Sequence, residues 1–186
     1  VRVLLMRLGV LDYGIFSLVA GLVTMFLFIS NSMSSACQRF FAIELGNKNN
    51  KKLNLLWNIS LIVFFVIAVF VILVSETFGV WFLSNYLDIP VERYNAAYWV
   101  FQFSIFSLIF SLISIPFNAI LIAREKMNIY ALISLVDISL KFCIVFLIDV
   151  FEYDNLIFYG FLLFATSVVV FIIYLIICVK SYKECR

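Results

Sequence analysis

Five long apolar runs, at residues 14–33, 57–83, 98–122, 129–151 and 156–179, divide this chain, and nearly every charge falls in the short breaks between them. Each run meets or exceeds the roughly 20 residues that a helix needs to cross bilayer hydrocarbon, and none is as short as a signal-peptide core. Barrel strands would alternate in polarity over segments of about 10 residues; these runs are continuous and longer. In hydrocarbon such a run must satisfy its own N–H and C=O groups, as a helix does. The expected fold is therefore all-α, a polytopic transmembrane helix bundle of five full spans. Residues 1–8 read as the end of a preceding helix, so the chain is expected to be a piece of a longer one, continuing beyond Arg186. The whole of 1–186 is read as a single transmembrane lobe.

The breaks alternate in sign, and this gives an orientation, because Lys and Arg in short loops mark the cytoplasmic side. Loop 36–56 carries Arg39, Lys48, Lys51 and Lys52 against Glu44, loop 123–128 carries Arg124 and Lys126 against Glu125, and tail 180–186 carries Lys180, Lys183 and Arg186. These three are expected to be cytoplasmic. The regions around 84–97 and 152–155 are acidic, with Glu76, Asp88 and Glu92 against Arg93 in one and Asp149, Glu152 and Asp154 in the other, and are expected to face outward. The turn at 9–13 then also lies outside, so Arg2 and Arg7 breach the positive-inside pattern. Either they line an interior path or they snorkel to an interface.

Composition narrows the function. The chain is 66% hydrophobic and 13% charged, with mean hydropathy +1.15. Soluble domains carry about a quarter of their residues as charges, so a soluble domain is excluded. Four cysteines without a CxxC pair or metal-ligand spacing read as free thiols. With no histidine and no Gly-rich phosphate loop, the usual base, proton shuttle and metal ligand are missing, and no enzymatic activity, cofactor or metal is expected. A net charge of +2 spread over both membrane faces offers no nucleic-acid surface.

The polar residues inside the spans then carry the information, since a helix that touches only lipid has no use for them. In the third span Ser104, Ser107, Ser111, Ser114 and Asn118 recur at helical spacing, with Pro116 among them. In the first, Gly14, Ser17, Gly21, Thr24, Asn31 and Ser35 do so, with bulky Phe28 in the row, and in the fourth, Ser134, Asp137 and Lys141. Such stripes suit either close helix packing or a hydrophilic cavity, which a proline bend would favour. The second and fifth spans, almost wholly apolar, are expected to face lipid. Counted from Ile129, Asp137 and Lys141 lie about 12 and 18 Å into a core about 30 Å thick. An isolated charge there costs roughly 2.5 to 3.5 kcal/mol. Asp four residues before Lys permits an intrahelical pair; alternatively Lys141 presents charge to an anionic substrate, or Asp137 titrates as a coupling carboxylate.

Leu8-Gly9-Val10-Leu11-Asp12-Tyr13-Gly14, Gln38-Arg39-Phe40, Glu44-Leu45-Gly46, Ile115-Pro116-Phe117-Asn118-Ala119 and Ala123-Arg124-Glu125-Lys126-Met127 resemble, in order and spacing, bacterial polysaccharide biosynthesis transporters. These are the O-antigen and capsule flippases of the multidrug/oligosaccharidyl-lipid/polysaccharide exporter superfamily, related to multidrug and toxic compound extrusion proteins. The resemblance covers essentially the whole chain, from the end of the family's first helix through its sixth. It implies one six-helix lobe of a two-lobe transporter in the bacterial cytoplasmic membrane, moving undecaprenyl-diphosphate-linked oligosaccharide between leaflets. The partners implied are the bilayer, that lipid-linked sugar and a missing second lobe of the same polypeptide. It places Arg2 and Arg7 at the end of the first helix where such flippases are thought to line their cavity with basic residues. A guanidinium suits bidentate phosphate contact. Arg39 reads as a headgroup anchor. Together with Lys141, Asp137 and Asn118, Arg2 and Arg7 are the candidate substrate-binding residues. Two other readings stand beside this one: a cation-coupled multidrug exporter and a non-transporting membrane assembly subunit.

Overall fold

The computed structural model describes residues 2–85, 90–147 and 154–181; the side chains of 2–8, 10, 11, 22, 27–29, 84 and 91 lie outside the description. Among the described residues the chain is helical throughout, without strands: α1 (Arg2–Gly46), α2 (Asn50–Val74), a π-helical turn (Ser75–Gly79), α3 (Val80–Asn85), α4 (Val91–Ala123), α5 (Met127–Leu147) and α6 (Asn155–Ser181). Five helical segments are long and apolar enough to span a membrane: Asp12–Gly46, Asn50–Leu83, Glu92–Ala123, Met127–Leu147 and Asn155–Ser181.

Most of these helices run past the ends of the apolar runs. The loop expected at 36–56 contracts to residues 47–49, and α4 begins at Val91 inside the expected loop 84–97. Hydropathy marks where a helix leaves hydrocarbon, but hydrogen bonding continues through good helix formers such as Arg39, Gln38 and Glu44. At the other end of α1, the turn expected over 9–13 is taken by Gly9 alone, at φ 82° and ψ 164°. Glycine tolerates this backbone because it has no Cβ.

The two turns at the basic end share one construction. After α1, Asn49 N–H donates to Glu44 O at 3.2 Å and Lys48 N–H to Leu45 O at 3.1 Å, with Lys48 left-handed at φ 53°. After α4, Lys126 N–H donates to Leu121 O at 3.0 Å and Glu125 N–H to Ile122 O at 2.9 Å, with Glu125 at φ 57°. Both are Schellman closures, which satisfy the last helical carbonyls and reverse the chain within three residues. Asn49 then caps α2, its side chain accepting from Lys52 N–H at 3.2 Å.

α4 lies at the centre, packed against α6, α1 and α2. It is 56% buried over its most apolar window, against 11–22% for the other spans. Three apolar clusters stack along it. Val100, Phe101 and Ile105 meet Ile15, Val19, Leu156 and Tyr159 toward the acidic end. Leu108, Leu112 and Ile115 meet Phe64, Ala68 and Val71 at mid-height, and Phe117, Ile120 and Leu121 meet Phe41, Trp57 and Tyr174 toward the basic end.

The expected sorting of spans needs one correction. The α2 face bearing Ile62, Phe65, Val66, Val69, Phe70 and Leu73 is exposed, as its composition suggests. α6, though equally apolar, is the main neighbour of α4. Phe164 contacts Phe103, Phe106 and Phe110, and Phe171 contacts Phe110 and Phe117. Apolarity cannot distinguish lipid from a neighbouring helix, because both are equally apolar surroundings in a bilayer.

At the acidic end one arginine joins three helices. Arg93, in the first turn of α4, places Nη1 2.9 Å from Asp154 Oδ2 and Nε 3.5 Å from Asp12 Oδ1. Asp154 also accepts from Leu156 N–H at 3.3 Å at the start of α6. Arg93 and Asp154 are partly exposed while the Asp12 side chain is 9% exposed. Arg93→Ala is expected to lower stability by about 1 kcal/mol, the upper range for a solvated pair. Its melting-temperature deficit in detergent should shrink as salt is added.

Candidate functional site

Ser111, Ser114 and Asn118 of α4 border a polar cleft of about 260 Å³. α1 contributes Ser30, Asn31 and Ser34, α5 contributes Asp137 and Lys141, and α6 contributes Ser167 and Tyr174. A second hollow of about 240 Å³, lined by Thr24, Ser104 and Ser107, shares Ser111, Lys141 and Ser167 with the first. Lys141 stands at their junction.

The serine stripe reaches this cleft because helical spacing carries it along one face of α4. Two of its hydroxyls turn back on the helix: Ser104 donates to Val100 O and Ser114 to Phe110 O, each at 2.7 Å. Such bonds satisfy the donor locally and leave the oxygen as an acceptor toward the cleft. Ser107 bonds Ser167 across the α4–α6 seam. The stripe thus serves packing at one position and lines the cleft at others.

Lys141 Nζ donates to Asp137 Oδ2 at 2.8 Å, so the intrahelical pair forms. Half of the Lys141 side chain and 29% of Asp137 remain uncovered by protein. The pair offsets much of the charge cost at this depth while the ammonium keeps donors to offer. Asn118 also lines the cleft, and its Oδ1 is buried with no hydrogen-bond partner among the described residues. A buried amide oxygen left unbonded costs roughly 1–3 kcal/mol, so it is a ready acceptor.

Asp137, Lys141 and Asn118 therefore come together in one site. Arg2 and Arg7 belong to the α1 segment before Gly9, and their side chains lie outside the described residues. The polar row of α1 is placed differently from a packing seam: Ser17, Gly21, Thr24, Asn31 and Ser35 are exposed. The buried face of this helix is instead Asp12, Ile15, Val19, Ser30 and Phe41. Ser30, Ser34 and Tyr174 escape sequence reasoning. Ser30 continues the row of Ile15, Val19, Val23 and Phe26, at spacings of three and four that could have exposed it.

A family model described as MatE matches residues 1–147. The chain belongs to the MatE family. No curated protein and no solved structure matches it. The match supports membership of the multidrug/oligosaccharidyl-lipid/polysaccharide exporter superfamily. This MatE chain is accordingly a multi-pass membrane protein of a transporter family, and MatE family members are transporters, not enzymes. The matched range takes in α1 to α5, and with them Asp137, Lys141 and Asn118; α6, which closes the cleft with Ser167 and Tyr174, lies beyond it.

Proposed function

We propose that this MatE chain forms the polar wall of a flippase for undecaprenyl-diphosphate-linked oligosaccharide in a bacterial cytoplasmic membrane, its basic turns facing the cytoplasm. The observation that carries the reading is the placement of Lys141 in a hydroxyl- and amide-lined cleft within an otherwise apolar bundle. An ammonium offers three donors to a diphosphate, and Asn118 Oδ1 offers an unbonded acceptor to a sugar hydroxyl. Asp137 serves as the counter-ion of Lys141 when no substrate is bound. Arg2 and Arg7 add positive charge at the acidic end of α1. A second lobe of the same polypeptide would close against the exposed polar row of α1, and the two would rock about the site.

One observation favours the multidrug reading: Asp137 is a carboxylate in the same cleft and suits an amphipathic cation. Flux in proteoliposomes containing the full-length protein separates the two. Flipping of a fluorescent prenyl-diphosphate oligosaccharide, abolished by Arg7→Ala and insensitive to a dye gradient, is the expected result. Cation-driven dye efflux that Asp137→Asn removes, with no sugar flipping, would overturn it.

A further inference from the structure

Filling the polar cleft with a diphosphate disturbs the Asp137–Lys141 pair. If the Lys141 ammonium kept its 2.8 Å bond to Asp137 while holding the ligand, the carboxylate would stand beside the phosphates, like charges in a setting of low dielectric. The bond must therefore lengthen as the ammonium turns to the ligand. Asp137 then needs another donor, because an ionised oxygen at this depth is costly when left without one.

Several hydroxyls around the cleft have no proton to spare. Ser30 donates to Phe26 O at 3.1 Å, Ser114 to Phe110 O at 2.7 Å and Ser167 to Leu163 O at 3.2 Å. A hydroxyl carries one proton, so toward the cleft these three can only accept. Serine reaches the carbonyl one turn back because its side chain is short. The phenol of Tyr174 stands at the far end of a rigid ring, and it makes no hydrogen bond among the described residues. Its O–H is an uncommitted donor in the cleft wall.

Packing holds that donor near the carboxylate. Tyr174 is 6% exposed and stands in the basic-end cluster with Trp57, Phe117 and Ile133, so the ring has little room to turn away. Ile133 is one helical turn from Asp137 on α5, and Tyr174 lies within electrostatic reach of Asp137. It also belongs to α6, the main neighbour of α5, whereas Asn31, Ser111 and Asn118 line the cleft from α1 and α4.

We propose that Tyr174 is a positioning residue of the cleft: its O–H donates to Asp137 when Lys141 turns to the diphosphate, which frees the ammonium without stranding the carboxylate. The exchange replaces one charge-assisted hydrogen bond with another, and it rests on the reading of the cleft as a diphosphate site.

The probe is inorganic pyrophosphate, titrated calorimetrically into the full-length protein in nanodiscs. Tyr174→Phe keeps the ring and its packing. It is expected to weaken binding about tenfold, the loss of one hydrogen bond to a charged group, with the melting temperature unchanged. In an Asp137→Asn background the same change should have no effect, because no carboxylate then calls on the phenol. An equal loss in that background would overturn the proposal, since the phenol would then touch the ligand itself. A second readout needs no change at Asp137 and decides the matter even where Asp137→Asn fails to fold. Adding pyrophosphate should shift a tyrosine C–O band in the infrared difference spectrum, and Tyr174→Phe should remove that band. A missing shift, or unchanged affinity in Tyr174→Phe, overturns the role of Tyr174 and leaves the diphosphate reading standing. Pyrophosphate that fails to bind the unsubstituted protein overturns that reading, and the role of Tyr174 with it.

Discussion

Lys141→Gln is expected to cut transport by about ten- to a hundredfold while leaving the folded protein largely intact. The size follows from losing a hydrogen bond to a charged group, roughly 1.5–3 kcal/mol, at about 1.4 kcal/mol per factor of ten. The sparing of the fold follows from what remains. Asp137 without its partner still borders a cleft lined by hydroxyls, with 29% of its side chain uncovered by protein. Asp137→Asn is the opposite case: it leaves an ammonium at depth with no counter-ion, a cost of roughly 2.5 to 3.5 kcal/mol on the insertion scale. Its yield of monodisperse protein, measured by fluorescence-detected size exclusion, should fall below that of Lys141→Gln. Should both substitutions reduce folded protein equally, with full transport per folded molecule, the 2.8 Å pair is a structural neutralisation and nothing more.

The second large effect lies in the seam between α4 and α6. A Cβ at Gly160 would stand 3.3 Å from Val100 Cγ2 and 3.4 Å from Val100 Cα, so the two backbones approach at this residue. Helices in a bilayer gain little from hydrophobic exclusion and depend on such close contact. Gly160→Leu must separate the helices, which also pulls apart the Ser107–Ser167 bond and the aromatic contacts of Phe164. Overpacking of this kind costs about 1–3 kcal/mol, and here it acts on the largest interface of the lobe. The melting temperature in detergent should fall well below that of Gly160→Ala, which demands a shift of only a few tenths of an ångström. Equal melting of the two variants would show that the seam is not closely packed in the membrane.

The contrast between these two sites shows what the sequence discloses. Asp137 and Lys141 are conspicuous in an apolar run because charge at depth is costly, and their spacing announces the pair. The stripe from Ser104 to Asn118 is legible for the same reason. Gly160 is not, since one glycine in a long apolar helix looks alike whether it faces lipid or a partner. Tyr174 is hidden equally well: it is a single polar tip in an apolar surrounding, and its use depends on which helix lies opposite. Gly9 could be read as a turn, but only its backbone angles reduce the turn to one residue.

The sequence by itself determined the all-α membrane fold, its span count, the signed ends of the helices and the presence of a charged pair at depth. Those properties follow from the cost of exposing backbone and charge to hydrocarbon, which each segment meets without help from its neighbours. Tertiary structure alone decided that α4 is central, that α6 packs on it and that the α1 polar row stays exposed. Helix and lipid present the same apolar surface to a side chain, so hydropathy cannot choose between them, and only close packing does.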